Sequence, residues 1–211
     1  MTPKILVLIS GNGSNLQALI NAKEQGQLKA EISLVISSSS KAFGIERARK
    51  HNIPVRVHEL KSYYQGIPKE EKAKRAEKRN DFDQDLVKII LSEKPDLVVC
   101  AGWMLILGEK FLQPLQEKNI SIINLHPSLP GAFEGINAIE RSYNAGQNGE
   151  ITKGGIMIHR VILEVDRGQP LIVREIDVIK GETLESWEAR IHSLEHQAIV
   201  DGTNKALDEL K

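Results

Sequence analysis

The sequence predicts a doubly wound, mostly parallel α/β sheet, followed by a C-terminal antiparallel hairpin and a final helix. Four short runs rich in Ile and Val alternate with helical patterns, at residues 5–9, 32–36, 97–101 and 120–125. This alternation is typical of parallel strands covered by helices. Two later extended runs are separated only by a turn, which predicts the hairpin. In such sheets ligands bind outside the carboxyl ends of the strands, so polar residues after each strand are the candidates for a site.

Length and composition favour one domain that handles small molecules. The 211 residues suit a single core over 1–211, and 28 basic side chains balance 28 acidic ones. A neutral chain has no long-range field that attracts nucleic acid or an anionic membrane. The apolar stretch at 5–9 is too short to span a bilayer or to act as a secretion signal. The single cysteine, Cys100, lies in an apolar run, which suits a reducing compartment. We therefore expect a cytoplasmic protein without a nucleic-acid or membrane partner.

A glycine turn follows the first strand and leads into a helical pattern at 16–20. Amides in such a turn point outward, and the helix dipole favours an anion there. The turn is not a P-loop, because no Gly-Lys-Ser/Thr follows, and Leu16 stands where the dinucleotide fingerprint has its third glycine. A phosphate site and a plain tight turn are both open interpretations of these residues: Gly11, Asn12, Gly13, Ser14 and Asn15.

A charged stretch at 69–79 has almost no apolar face and precedes Phe82, Leu86 and Ile89 at helical spacing. Helical spacing of apolar side chains predicts that one face of this segment packs on the core. The charged residues before it predict a solvated helix entrance or a loop.

Two polar residues lie at the end of the strand at 120–125. Alternation along a strand places Asn124 and His126 on one side, and Pro127 then ends the strand. An amide donor beside an imidazole suits acyl chemistry, because an oxyanion needs fixed donors and an amine needs proton transfer. The other interpretation is a histidine that bonds only to nearby backbone.

Asp166 lies in the turn between the predicted hairpin strands at 156–162 and 171–178. Its ordinary role would be that of a turn residue near a glycine. If the fold brings Asp166 close to His126, the carboxylate would orient the imidazole and raise its pKa.

The final helix is predicted to begin after Thr183 as its cap, because the apolar residues from Leu184 to Ala198, including Leu194, recur at helical spacing. Within it, His192, Glu195 and His196 match a zinc-protease pattern. A zinc site needs a third ligand and a cleft, few residues follow, and the apolar stripe directs Leu194 inward. We therefore predict no metal.

Taken together, these segments resemble the folate-dependent formyltransferases. The asparagine and His-Pro-Ser strand end, followed later by an aspartate in a turn, is specific to that family. The glycine-rich start narrows the resemblance to the branch that formylates glycinamide ribonucleotide. The match spans nearly the whole chain, at residues 7–20, 42–49, 96–107, 123–135, 164–170 and 194–199.

The resemblance implies a Rossmann-like formyltransferase fold and a formyl transfer from 10-formyltetrahydrofolate, with no metal. It implies that Asn124, His126 and Asp166 are catalytic, and that residues 11–15 bind phosphate while Glu195 reaches the ribose or the glycinamide. The implied folate-binding residues are Arg79, Met104, Leu105, Ile106, Leu107 and Asn124. The phosphate-binding half would then be 1–100 and the folate and catalytic half 101–211, in a monomer or weak homodimer.

The chain departs from the usual family pattern in three places. Leu129-Pro130-Gly131 follows His-Pro-Ser, Met104-Leu105-Ile106-Leu107 has leucine where bacterial relatives often have arginine, and 61–75 is inserted. The variant loop and the insertion resemble the fungal branch. A formyltetrahydrofolate hydrolase, which admits water in place of the amine, and a non-catalytic nucleotide-binding module are the alternative functions.

Overall fold

The computed structural model describes residues 2–210, in which seven strands and seven helices are found. The strands are β1 (Lys4–Ile9), β2 (Glu31–Ser37), β3 (Val55–Val57), β4 (Leu97–Cys100), β5 (Ser121–His126), β6 (Lys153–Arg160) and β7 (Pro170–Asp177). The helices are α1 (Ser14–Glu24), α2 (Gly44–Lys50), α3 (Leu60–Tyr63), α4 (Lys72–Glu93), α5 (Glu109–Glu117), α6 (Ala138–Asn148) and α7 (Leu184–Asp208). None of the helices within 2–210 is long and apolar enough to cross a membrane.

The strands form one mixed sheet in the order β3-β2-β1-β4-β5-β6-β7. This confirms the predicted α/β class with its C-terminal hairpin and final helix. The chain divides into two compact units, one holding residues up to Gln17 with Ala30–Ser121, the other Ala18–Lys29 with the chain from Ile122 onward. The division does not test the predicted single domain or its halves at 1–100 and 101–211, which stay predictions.

The first unit is built on parallel strands around β1. This strand pairs with β2 on one side and β4 on the other, and β2 pairs with β3. Residues 5–9 are all 0 % exposed, since both faces of a central parallel strand are covered. This double burial explains why the run is apolar without alternation. The short edge strand β3, with Val57 45 % exposed, was not predicted.

Helix α4 begins within the charged stretch and then turns an apolar face to the core. Its first turns are largely exposed, which confirms the predicted solvated entrance, and Phe82 and Leu86 are fully buried. Ile89 is only half-buried, because Ile90 takes the inward position. The ring of Phe82 stacks on His58, with 4.3 Å between the ring centroids. This stack fixes the chain before α3 onto α4.

The second unit contains the antiparallel strands β5, β6 and β7. A close approach of α7 shapes this unit, because a Cβ placed on Gly154 would lie 2.5 Å from the ring of Trp187. Trp187 is 1 % exposed, and its indole N–H donates to the Ser142 hydroxyl at 3.1 Å. Glycine is therefore required where the helix crosses β6.

Helix α7 begins after Thr183, as predicted. The Thr183 hydroxyl accepts a hydrogen bond from the Ser186 backbone N–H at 3.2 Å. Trp187 and Ile191 are buried, but Leu194 is half-buried, and the neighbouring Glu195 occupies the buried position instead. The inward direction predicted for Leu194 is therefore only partly met.

We predict that Thr183→Ala lowers the free energy of unfolding by about 1 kcal/mol, because the Ser186 amide at the start of α7 loses its acceptor. Urea denaturation followed by circular dichroism measures the change. Thr183→Ser keeps a hydroxyl and serves as the matched control. Equal stability of the alanine and serine variants would contradict a capping role.

Candidate active site

The end of β5 and the adjoining part of β6 present polar side chains on one face of the sheet. In the β5–β6 register, Asn124 lies opposite His159, and His126 lies opposite Met157. Residues directly opposite each other in an antiparallel pair project to the same face. His159 therefore joins Asn124 and His126. Sequence reasoning missed His159, because its partner strand and register had to be known first.

Asp166 connects the two histidines. Its carboxylate oxygens lie 3.4 Å from Nδ1 of His126 and 3.4 Å from Nε2 of His159. The backbone N–H of Gly135 donates to the same carboxylate at 2.8 Å. The structure thus brings together the three residues predicted from the sequence and adds a fourth. Their catalytic role stays a prediction at this point.

The hydrogen bonds of His159 orient the side chain of Asn124. Nδ1 of His159 lies 2.9 Å from the carbonyl oxygen of Arg160, which only accepts, so this nitrogen carries the hydrogen. In the neutral ring Nε2 is then an acceptor, and the Asn124 amide nitrogen lies 3.3 Å from it. This network assigns one amide hydrogen of Asn124 to His159 and leaves the second for another oxygen.

His126 is 4 % exposed, and its Nε2 lies 3.2 Å from the carbonyl oxygen of Phe133. Burial disfavours the charged ring and lowers the pKa of His126 below its ordinary value of 6.5. The Asp166 carboxylate acts in the opposite direction, as expected from the sequence, but its attraction is the smaller effect. The predicted effect of the carboxylate on the pKa of His126 is therefore confirmed in direction, and burial reverses the net shift.

Burial also acts on Asp166, where it raises the pKa. The 3.4 Å contact with His159, the hydrogen bond from the Gly135 backbone and the positive charge that either imidazole carries when protonated together outweigh burial and hold the pKa of Asp166 below its ordinary value. The carboxylate is therefore ionised at neutral pH. It supplies a fixed negative charge beside two imidazoles.

Three of the six non-glycine residues with a positive φ among residues 2–210 lie in this cluster or in the loop that follows β5. Phe133, Asn137 and Asp166 adopt φ values of 49°, 56° and 56°, in the left-handed region. Non-glycine residues rarely adopt this conformation, which costs on the order of 1 kcal/mol or more per residue. Arg141 holds the loop by donating to the carbonyl oxygens of Glu134 at 2.8 Å and Ile136 at 3.1 Å. Strained residues supported in this way are common at functional sites.

The glycine turn lies in the first unit, between β1 and α1. Gly13 has φ +75°, and a Cβ on it would lie 2.6 Å from the Cα of Gly44. The Gly44 N–H donates to the carbonyl oxygen of Gly11 at 3.1 Å. Asn15 is buried at 8 % exposure, whereas Gly11 and Asn12 are exposed. The predicted strand, tight turn and helix are confirmed, and phosphate binding stays a prediction.

The predicted folate residues other than Asn124, which belongs to the second unit, also lie in the first unit. Arg79 donates through Nε to Asp83 at 2.9 Å and through Nη2 to the carbonyl oxygen of Ile106. Met104 and Ile106 are 77 % and 66 % exposed, and the Met104 N–H donates to the Ser10 hydroxyl at 2.9 Å. Leu105 and Leu107 are half-buried. A cavity of about 260 Å³ is lined by Arg79, Asn80, Asp83, Ile106, Gly108, Glu109 and Lys110.

Glu195 lies in the second unit, on α7, and is 4 % exposed. Its carboxylate lies 3.2 Å from Nδ1 of the exposed His192, and this hydrogen bond raises the pKa of His192. His196 is exposed to solvent. Among residues 2–210, no group of three or more His, Cys, Asp or Glu side chains is arranged to hold a metal ion.

Comparisons with known proteins identify relatives along the whole chain. The sequence profile of the family described as formyl transferase matches residues 3–203. A phosphoribosylglycinamide formyltransferase of Saccharomyces cerevisiae is 53 % identical over 213 residues, covering 98 % of each chain. One from Schizosaccharomyces pombe is 44 % identical and covers 100 % of each chain.

Solved structures give the same result. A glycinamide ribonucleotide transformylase 1 from Symbiobacterium toebii superposes with a TM-score of 0.84 at 28 % identity, covering 99 % of this chain and 89 % of the other. The resemblance seen in the sequence is confirmed, and two of these relatives are fungal.

We predict that His126 and His192 titrate on opposite sides of pH 6.5, His126 below it because of burial and His192 above it because of Glu195. Nuclear magnetic resonance of the histidine rings measures both values. Asp166→Asn removes the opposing charge, so the pKa of His126 falls further while that of His192 is unchanged. An increase for His126 in this variant would contradict the proposed pairing.

The lowered pKa of His126 also determines how the stability of the folded chain changes with pH. Because the pKa of His126 is lower in the folded chain, the unfolded chain takes up the proton first as the pH falls below 6.5. The contribution of neutral His126 to folding is therefore complete above this pH and declines below it.

Proposed function

This chain belongs to the formyl transferase family, and we propose that it transfers a formyl group from a reduced folate to the amine of glycinamide ribonucleotide, a step of purine biosynthesis. Its activity is that of a phosphoribosylglycinamide formyltransferase. The observation that carries the chemistry is the cluster in which the ionised Asp166 contacts His126 beside the oriented amide of Asn124. For the formyl donor we propose 10-formyltetrahydrofolate.

The reaction is a direct transfer. The amine nitrogen attacks the formyl carbon and forms a new C–N bond, while the carbonyl electron pair moves to oxygen. The tetrahedral oxyanion then collapses, breaking the bond to the folate nitrogen, which leaves with a proton. The amine loses one proton and the folate nitrogen gains one, so the balance closes without a covalent enzyme intermediate. Holding both reactants on the enzyme lowers the entropic part of the barrier.

Asn124 is the first donor to the oxyanion. One hydrogen of its amide is directed to Nε2 of His159, at 3.3 Å between the nitrogens, so the amide plane is fixed before substrate binds. A donor that is already oriented stabilises the developing charge without reorganisation in the transition state. His159 thus acts as a positioning residue for Asn124.

His126 is the second donor. In this structure its Nε2 lies 3.2 Å from the Phe133 carbonyl oxygen, an acceptor that the substrate oxyanion replaces in the proposed reaction. A nearby anion favours the charged imidazole and so opposes the effect of burial on its pKa. His126 therefore gains positive charge as the oxyanion forms, and Asp166 balances that charge from the other side of the ring. Asp166 also relays the amine proton through water.

The remaining residues are assigned to the two substrates. Residues 11–15 bind the acceptor phosphate through outward-facing amides, and Glu195 accepts hydrogen bonds from the ribose or the glycinamide. Residues 104–107 line the folate pocket and offer backbone groups to the pterin, Asn124 also contacts the folate, and Arg79 pairs with a folate carboxylate. The exposure of Met104 and Ile106 and the cavity beside Arg79 support this assignment.

The same proposal covers organisation and location. We propose one catalytic domain over 1–211, with the phosphate-binding residues and Arg79 in 1–100 and the other folate-binding residues and the catalytic residues in 101–211. A cytoplasmic monomer or weak homodimer that works on small molecules agrees with zero net charge and with the buried thiol of Cys100.

Transfer is separated from hydrolysis by an assay with 10-formyltetrahydrofolate in the presence and absence of glycinamide ribonucleotide. We expect formyl loss from the folate only when the ribonucleotide is present, with one formylated product per folate consumed. Equal loss without the ribonucleotide would identify a hydrolase. If no formyl group is lost from the folate with or without the ribonucleotide, the chain is a non-catalytic nucleotide-binding module.

We predict that Asn124→Ala lowers kcat on the order of a hundredfold, because one oxyanion donor is lost. Asp166→Asn should lower kcat similarly, since the charged imidazole loses its counter-charge. Single-turnover kinetics measures both effects. Asn148→Ala, at an exposed asparagine that bonds Glu150 at 3.2 Å, is the matched control. Turnover within a few-fold of wild type for Asn124→Ala would refute its assignment.

A further inference from the structure

Arg47, on α2, donates two hydrogen bonds to Asn12 of the glycine turn. Its Nε donates to the backbone carbonyl oxygen of Asn12 at 2.9 Å, and its Nη2 donates to the side-chain oxygen of Asn12 at 2.9 Å. Its third nitrogen donates to the side-chain oxygen of Gln17 at 3.3 Å. One guanidinium therefore holds the backbone and the side chain of the turn and the first part of α1.

The hydrogen bond from Arg47 to the Asn12 carbonyl sets the direction of the Gly13 N–H. A peptide unit is planar and trans, so its C=O and N–H groups point to opposite sides. Because Arg47 holds the carbonyl of the peptide between Asn12 and Gly13, the Gly13 N–H points away from Arg47. Gly13 has φ +75° and no side chain, which makes this the peptide of the turn most able to rotate.

Two further contacts limit how far Arg47 and the turn can move. The guanidinium carbon lies 4.9 Å from the ring centroid of Phe43, which precedes α2. The backbone contact between Gly13 and Gly44 supports the turn from the same helix. The hydrogen bond from Nε of Arg47 restrains the Asn12 carbonyl directly. Loss of this hydrogen bond thus removes the restraint on one peptide without removing the turn.

We infer that Arg47 is a positioning residue that makes the enzyme select a phosphorylated acceptor. It fixes the peptide between Asn12 and Gly13, so that the Gly13 N–H points away from the guanidinium and stays available to an anion. This inference rests on the proposed function, in which the same turn binds the acceptor phosphate. Neither the composition nor the turn motif assigns a role to an arginine located on the next helix.

The test compares two acceptors in wild-type enzyme and in Arg47→Lys and Arg47→Ala. The acceptors are glycinamide ribonucleotide and the glycinamide riboside, which lacks the phosphate. Lysine keeps the charge but offers a single ammonium group, which does not reproduce the planar fork on the two Asn12 oxygens. We expect both variants to raise KM for the ribonucleotide by roughly tenfold, as for the loss of a charge-assisted hydrogen bond, with little change in KM for the folate.

The riboside separates positioning from a general structural defect. If Arg47 acts on phosphate recognition, its substitution leaves kcat/KM for the riboside within about twofold, so the preference for the phosphorylated acceptor falls roughly tenfold. Arg49→Ala is the matched control, since this exposed arginine lies on the same helix and pairs with Glu46 at 3.1 Å. Equal losses with both acceptors, or an equal effect of Arg49→Ala, would overturn the inference.

Measurements on the wild-type enzyme distinguish a failure of the proposed function from a failure of the role inferred for Arg47. If wild-type enzyme formylates neither acceptor, the proposed function fails. If it prefers the ribonucleotide and the Arg47 variants keep that preference, the proposed function stands and the role of Arg47 is refuted. Should Arg47→Ala fail to fold, Arg47→Lys gives the same comparison of acceptors.

Discussion

The antiparallel pairing of β5 with β6 determines which side chains meet at the catalytic face. The register that places Asn124 opposite His159 also leaves His126 two residues further along the same face. A slip of one residue between these strands would turn His159 to the face opposite Asn124 and His126, because side chains alternate between the faces of a strand. The return of the chain through Asp166 then closes the cluster from the loop between β6 and β7.

Within that cluster, burial and charge act against each other on different groups. Burial is the larger effect on His126 and keeps its pKa low, whereas on Asp166 the hydrogen bonds and nearby charges together outweigh burial and keep the carboxylate ionised. The resting site therefore holds a neutral imidazole beside a carboxylate. Such a pair is poised to accept positive charge when an oxyanion forms, since the counter-ion is already in place.

Much of the fold and part of the site could be predicted from local sequence. The strand from Lys4, the cap at Thr183 and the strand end at Asn124 follow from patterns within a few residues. His159 could not be found in this way, because its role depends on a register between strands that are distant in sequence. The direction of the pKa shift of His126 depended on the extent of its burial, which its neighbours along the chain do not give.

The first unit carries a further constraint at Gly13 and Gly44. A side chain on Gly13 would meet the backbone of Gly44, and one on Gly44 would lie 2.5 Å from Ile9 and 3.2 Å from the Cα of Gly13. Neither position accepts a larger residue while the other keeps its place. The two glycines therefore constrain each other, because either one can be replaced only if the turn after β1 and the start of α2 move apart.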